Sequence, residues 1–276
     1  MVDVPPGLAA RAVRARDQGL PPPPLRDAAT VALLRAAPGG PEVYLLRRVR
    51  QMAFAGGMHV FPGGSVDPAD AAADTGWAGP PPVAWAAAFD CAEPLARALV
   101  CAAVRETFEE SGVLLAGPSA DTVQGDVSTD AWEAERGALE AREQSLSELL
   151  ARRGLLLRAD LLRPLAHWIT PEVEPKRFDT RFFLAELPPG QVTRHVGGEA
   201  DERVWVRPRD TGGLAMLPPT ASVLADLAAY DDIGSALAAP RKVRPVLPKL
   251  LVAADDTVRF LLPGDPSYPP DPSARQ

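Results

Sequence analysis

Three carboxylates at one-turn spacing dominate the middle of the chain, in the stretch Arg105-Glu106-Thr107-Phe108-Glu109-Glu110-Ser111-Gly112-Val113. Glu106, Glu109 and Glu110 stand at i, i+3 and i+4, so a helix would place all three on one face. From about Pro94 the apolar positions Leu99/Val100, Ala103/Val104 and Phe108 recur at helical spacing. Phe108 lies about 200° around from Glu106, which assigns core and carboxylates to opposing faces. Gly112 is placed to end the helix in the left-handed region. Taken alone, the acidic face reads better as a solvated one. If it is buried, the mutual repulsion calls for a cation, and Mg²⁺ or Mn²⁺ would choose these hard oxygens.

Composition narrows the alternatives. The 276 residues carry a formal net charge of -7, which argues against nucleic acid as a partner held through a basic surface. A hydrophobic fraction of 46% is ample for a core. Cys91 and Cys101 form no CxxC pair, and His59, His167 and His195 are scattered, so neither a disulfide framework nor a zinc site is expected. No stretch has the roughly 18 apolar residues of a membrane span, and the start lacks the apolar run of a signal peptide. The expectation is a cytoplasmic protein with no membrane partner.

In chain order, residues 1–26 read as a flexible proline-rich lead-in, with a short helix near Leu8–Gln18 and four prolines at 21–24. Two strands, Ala28–Leu34 and Val43–Val49, flank Pro38-Gly39-Gly40-Pro41 as a hairpin. Arg47, Arg48 and Arg50 follow, either as solvated edge charges or as arginines reaching a polyanionic substrate. Phe61-Pro62-Gly63-Gly64 suits a tight loop with close backbone approach or positive φ. An alanine-, proline- and tryptophan-rich excursion occupies about 71–93. A second helical pattern spans Asp130–Arg153, with its charges assigned to a solvated face. Strands are expected at Leu161–Ile169, Arg177–Ala185 and Val204–Val206, a helix at Ala221–Tyr230, and a closing hairpin at Lys249–Ala253 and Thr257–Leu262. The organisation expected is a catalytic domain over 27–215, with 216–276 as a helix-plus-hairpin extension packed on it.

At these residues the chain resembles the Nudix hydrolase family. That motif runs Gly, five residues, Glu, seven residues, then Arg-Glu-(aliphatic)-x-Glu-Glu-x-Gly-(aliphatic). Gly64 opens it here, Asp70 stands where Glu is usual, and Arg105, Glu106, Glu109, Glu110, Gly112 and Val113 match the second half. Thr107 replaces an aliphatic residue. Ala71–Val104 is 34 residues where the motif has seven. Such an insertion is similar to the acyl-coenzyme A diphosphatase branch, as are Tyr44-Leu45-Leu46-Arg47-Arg48, the run 54–64 and Arg177-Phe178-Asp179-Thr180.

The resemblance implies an α/β/α sandwich with a mixed, partly antiparallel sheet. It implies Glu106 and Glu110 as the main ligands of Mg²⁺ or Mn²⁺, with Glu109 as third ligand or water-activating base. The Gly64 carbonyl and a downstream glutamate, Glu199 before Glu202, would complete the shell. Arg105 would hold a carboxylate in place. Arg47, Arg48, Arg50, His59 and Gly63 are the candidates for substrate binding, although His59 also reads as structure. Asp179 is expected to pin a loop. The implied substrate is a small nucleotide-linked diphosphate, first coenzyme A or acyl-coenzyme A, then ADP-ribose or NADH. A catalytically silent nucleotide sensor and a homodimer are left open.

Overall fold

Gly39 and Gly40 both have positive φ, 91° and 121°, so only glycine turns comfortably between the first two long strands. The computed structural model describes residues 4, 6–51, 55–72, 75–194 and 200–269. α1 (Pro6–Gln18) precedes β1 (Leu25–Ala37) and β2 (Gly40–Arg48). Then come β3 (His59–Val60), β4 (Gly63–Ser65), α2 (Pro68–Ala72), β5 (Trp77–Ala78), α3 (Pro82–Phe89), α4 (Glu93–Ser111) and β6 (Ala116–Gly117). The second half runs α5 (Asp130–Glu140), α6 (Leu146–Arg153), β7 (Leu156–Arg158), β8 (Leu162–Ile169), β9 (Arg177–Glu186) and β10 (Ala200–Val206). It closes with α7 (Pro218–Leu227), α8 (Ile233–Ala238), β11 (Pro245–Val246), β12 (Lys249–Val252) and β13 (Val258–Leu261).

The main sheet has the order β10-β2-β1-β9-β8-β11, with β3 on β2 and β4 on β1. β1–β9 and β8–β11 are parallel and the other pairings antiparallel, so the expected mixed α/β architecture holds. β1 pairs β2 through Leu34–Ala37 and β4 through Ala28–Thr30, so two strands share one of its edges. Period two sends Ala29, Val31 and Leu33 into the core under α4, and Ala32 and Leu34 into the core with α7 and α8. Among the described residues no helix is long and apolar enough to cross a membrane.

α4 carries the acidic motif. Pro94 sits in its first turn, and Gly112 ends it at φ 74° with its N–H on the Phe108 carbonyl at 2.9 Å. Leu99, Val100, Val104 and Phe108 are almost fully buried, each worth roughly 1.5–3 kcal/mol. The apolar face therefore anchors the helix against the repulsion on the other. Thr107, fully buried where an aliphatic residue is usual, satisfies its hydroxyl on the Ala103 carbonyl at 2.7 Å.

The short helix expected in the lead-in is present as α1, which buries Leu8 and Ala12 and is tied to the closing hairpin by Arg16 on Asp256 (2.6 Å) and on the Ala253 carbonyl (3.0 Å). Other expectations are corrected. The excursion near 71–93 holds α3, whose Trp85 and Phe89 pack on Phe183 at 5.5 and 5.1 Å. An alanine-rich helix that is apolar all round leaves no period to read. The pattern over 130–153 is two helices. Ser145 caps the second through a capping box with Glu148, and Arg142 takes φ 59° between them. α8, capped by Asp232 on the Ser235 amide at 2.8 Å, had no counterpart in the expected elements.

Candidate active site and family

The two glycines are there for close approach, since neither has positive φ. A Cβ on Gly63 would lie 2.4 Å from Thr30 Oγ1 on β1, and one on Gly64 would lie 2.5 Å from Glu106 Oε1. β4 is thus pressed between its partner strand and the acidic face of α4. The Gly63 amide donates to Glu110 Oε2 at 2.8 Å.

Arg105 organises the remaining carboxylates. Its Nε and Nη2 donate to the two oxygens of Asp70 at 3.0 and 2.9 Å, in the bidentate geometry that suits guanidinium. Nη2 also reaches the Ser65 carbonyl at 2.9 Å, and Nη1 reaches Glu106 Oε1 at 2.8 Å and Glu109 at 3.3 Å. Asp70 is 2% exposed and accepts the Asp67 amide at 2.8 Å. The motif's shortened acid is therefore the structural counter-ion of Arg105, and Arg105 holds carboxylates as expected.

One guanidinium cannot neutralise this set. Burial pushes the Glu106 carboxyl up to about 7, against the pull of Arg105 and with the push of Glu109. Burial likewise raises Glu109, with Arg105 opposing. Burial works against the charge of Arg105, but its bonds to Asp70 and the fields of Glu106 and Asp70 hold it above its ordinary value. Among the described residues no three carboxylate, imidazole or thiolate groups converge on one point, because Arg105 draws Glu106 and Glu109 while the Gly63 amide draws Glu110. The donor chemistry nonetheless fits a hard divalent cation. Three carboxylates on adjoining turns are short of positive charge, and Gly64 lies against one of them.

The cluster opens into a cleft of about 1310 Å³, larger than the roughly 300–1,000 Å³ of an ordinary small-molecule site. Arg48 and Arg203 line it beside Glu110, and Gly63 and Gly64 form its lip. Strand parity decides among the arginines. Arg48 follows Tyr44 and Leu46 on one face of β2, whereas Arg47 lies on the other with Leu45. Arg47 is occupied by Asp201 at 2.8 Å and Glu202 at 2.6 Å, outside the cleft, and Arg50 is exposed and also outside.

His59 stands opposite Arg47 in the β2–β3 ladder, on the sheet face away from α4, and does not line the cleft. It is 6% exposed, with Nδ1 3.4 Å from the Ala215 carbonyl. Arg47, Arg50 and His59, expected at the substrate, thus lie outside the lining of the cleft. Glu202 is corrected by its pairing with Arg47, and Glu199 lies outside the described residues. Asp179, expected to pin a loop, bonds the His167 and Arg181 side chains and does not line the cleft. Arg203 was missed. Its signal was alternation along β10, where it pairs opposite Leu46. Burial pushes the Tyr44 phenol up to about 12, with Arg203 opposing and Glu110 adding to the shift.

No protein-family model matches the chain. The acyl-coenzyme A diphosphatase NUDT19 of Gallus gallus is 30% identical over 311 aligned residues, covering 90% of this chain and 80% of its own length. Putative nudix hydrolase 7 of Caenorhabditis elegans is 26% identical, covering 91% and 77%. A solved Nudix hydrolase from Alicyclobacillus acidocaldarius superposes with a TM-score of 0.67 at 31% identity, over 79% of this chain and 98% of its own. With the glycine lip, the arginine-held carboxylates and these relatives together, the chain belongs to the Nudix hydrolase family and is a Nudix-type diphosphatase.

Proposed function

We propose that the protein cleaves the diphosphate of coenzyme A or an acyl-coenzyme A, using Mg²⁺ or Mn²⁺ held by Glu106, Glu109 and Glu110 with the Gly64 backbone. The observation that carries the reading is a large cleft lined both by the carboxylate cluster with Arg48 and Arg203 and by an apolar floor that includes Phe178 and Phe182. Such a cleft suits a diphosphate joined to a long, less polar arm. The Gallus gallus relative named as an acyl-coenzyme A diphosphatase supports the same choice.

When bound, the metal supplies charge neutralisation and a more acidic water. Arg105 fixes Glu106 and Glu109, and Asp70 fixes Arg105. Glu110 is oriented by the Gly63 amide. Burial raises the Glu106 carboxyl, so a cation held there would favour its ionised form. Arg48 and Arg203 contribute positive charge for the substrate's phosphate oxygens.

A silent sensor is disfavoured, because Glu106, Glu109 and Glu110 are all present and stand together. The test is a panel of coenzyme A, acyl-coenzyme A, ADP-ribose and NADH with Mg²⁺ or Mn²⁺, the products being weighed by mass spectrometry. Cleavage of coenzyme A forms to adenosine 3′,5′-bisphosphate and a phosphopantetheine is expected. Turnover of ADP-ribose or NADH alone would overturn the reading.

A further inference from the structure

The apolar end of the cleft is built by parts that diphosphate chemistry does not need. Its floor is the face of β1 and β9 away from α4, where Thr30 lies beside Phe182 and Ala28 beside Thr180, with Phe178 beyond them. Four residues of β9 separate Phe182 from Phe178, about 13 Å of trough. The start of α7 walls one side, with Met216 and Pro218. α1 and the β12–β13 hairpin wall the other, with Leu8, Pro248 and Phe260.

That second wall is fixed in place. β12 and β13 pair only with each other, yet Lys249 binds Glu172 at 2.9 Å, and α1 is tied to the same rim by Arg11 on Glu174 at 2.8 Å.

The trough suits an aliphatic chain better than a base. Phe61, Phe182 and Trp168 are 2%, 5% and 7% exposed, and Phe61 meets Phe182 edge-on, so their ring faces are already packed. They offer a smooth apolar surface and no free stacking platform.

We infer that this trough binds the acyl chain of the substrate, and that Phe178 on its floor with Leu8 and Phe260 on its wall set the chain length accepted. The inference rests on the coenzyme A reading. A fully buried methylene is worth about fourfold in binding, so selectivity should grow with chain length until the trough is filled.

The experiment measures kcat/KM for coenzyme A and its acetyl, octanoyl and dodecanoyl thioesters with wild type, Phe260→Ala and Thr180→Trp. The first variant opens the wall and the second fills the floor, and thermal melts establish that each is folded. In wild type, KM should fall at least tenfold from acetyl to dodecanoyl, with kcat little changed, as expected for uniform binding. In each variant the ratio of dodecanoyl to unacylated kcat/KM should drop about tenfold. Ratios within twofold of wild type in both folded variants would overturn this inference and leave the coenzyme A reading standing. A wild type inert towards every coenzyme A form would overturn both.

Discussion

Glu106→Gln should make the metal-free protein more stable while removing its activity. The Glu106 side chain is only 12% exposed, and its carboxyl is raised from an ordinary 4.5 to about 7, chiefly by burial. A carboxyl whose folded pKa lies above its unfolded one favours folding only while it is protonated. Stability is therefore lost as pH rises from about 4.5 to about 7. At 1.36 kcal/mol per pKa unit, the ionised group costs roughly 3 kcal/mol above pH 7. Glutamine resembles the protonated acid and can still accept the Arg105 Nη1–H at its amide oxygen. In EDTA at pH 8 the variant should thus gain about 3 kcal/mol, or roughly 6–12 °C in Tm. At pH 5 the gain should shrink to about 1 kcal/mol or less, because the wild-type carboxyl is by then protonated in the fold. Urea melts at both pH values with EDTA measure this, and Mg²⁺ should stabilise wild type more than the variant. An equal gain at pH 5 and pH 8, or a loss at pH 8, would refute the reasoning.

Three further outcomes are expected. Glu110→Gln should lower Mg²⁺-dependent kcat by about 10²–10⁴-fold with an unchanged circular dichroism spectrum, since Glu110 takes no part in the Arg105 network that holds the fold; wild-type-like rates would remove it from the site. Gly64→Ala should place a Cβ 2.5 Å from Glu106 Oε1 and displace that carboxylate, at about 1–3 kcal/mol of stability read from urea melts, with most turnover lost. Arg48→Ala and Arg203→Ala should each raise KM about tenfold, whereas Arg47→Ala, which removes only half-exposed pairs with Asp201 and Glu202, should change KM less than twofold.

The acidic helix was legible because α4 combines a one-sided apolar stripe with a glycine stop, and both signals are local. Gly63-Gly64 was legible as a close approach, though not what it approaches, since Glu106 comes from 42 residues later in the chain. The choice between Arg47 and Arg48 needed the identity of the two sheet faces. Alternation alone separates the arginines but cannot say which side holds the cleft. The break between α5 and α6 was written in Ser145 and Glu148 as a capping box, and the apolar period running through both helices masked it. The apolar end of the cleft was not readable at all. Leu8, Phe178 and Phe260 meet only through tertiary packing of chain segments far apart in sequence.

The long insertion between the motif halves leaves the site intact for a geometric reason. The motif needs two junctions, Gly64 against Glu106 and Asp70 against Arg105, and both are made before and after the inserted residues. α2 ends at Ala72, just past Asp70, and α3 runs back along α4, so the chain re-enters the helix well upstream of Arg105. The inserted residues also give back part of their ordering cost, because Trp85 and Phe89 complete the core around Phe183 on the sheet face under α4. Asp70 fits the same logic. With its carboxylate bound bidentately by Arg105 and also receiving the Asp67 amide, the shorter side chain is held by α4 and by the turn that opens α2. A residue in that position is fixed as the helix's counter-ion, which in the proposed function leaves the cation to the three glutamates that Arg105 and Gly63 orient.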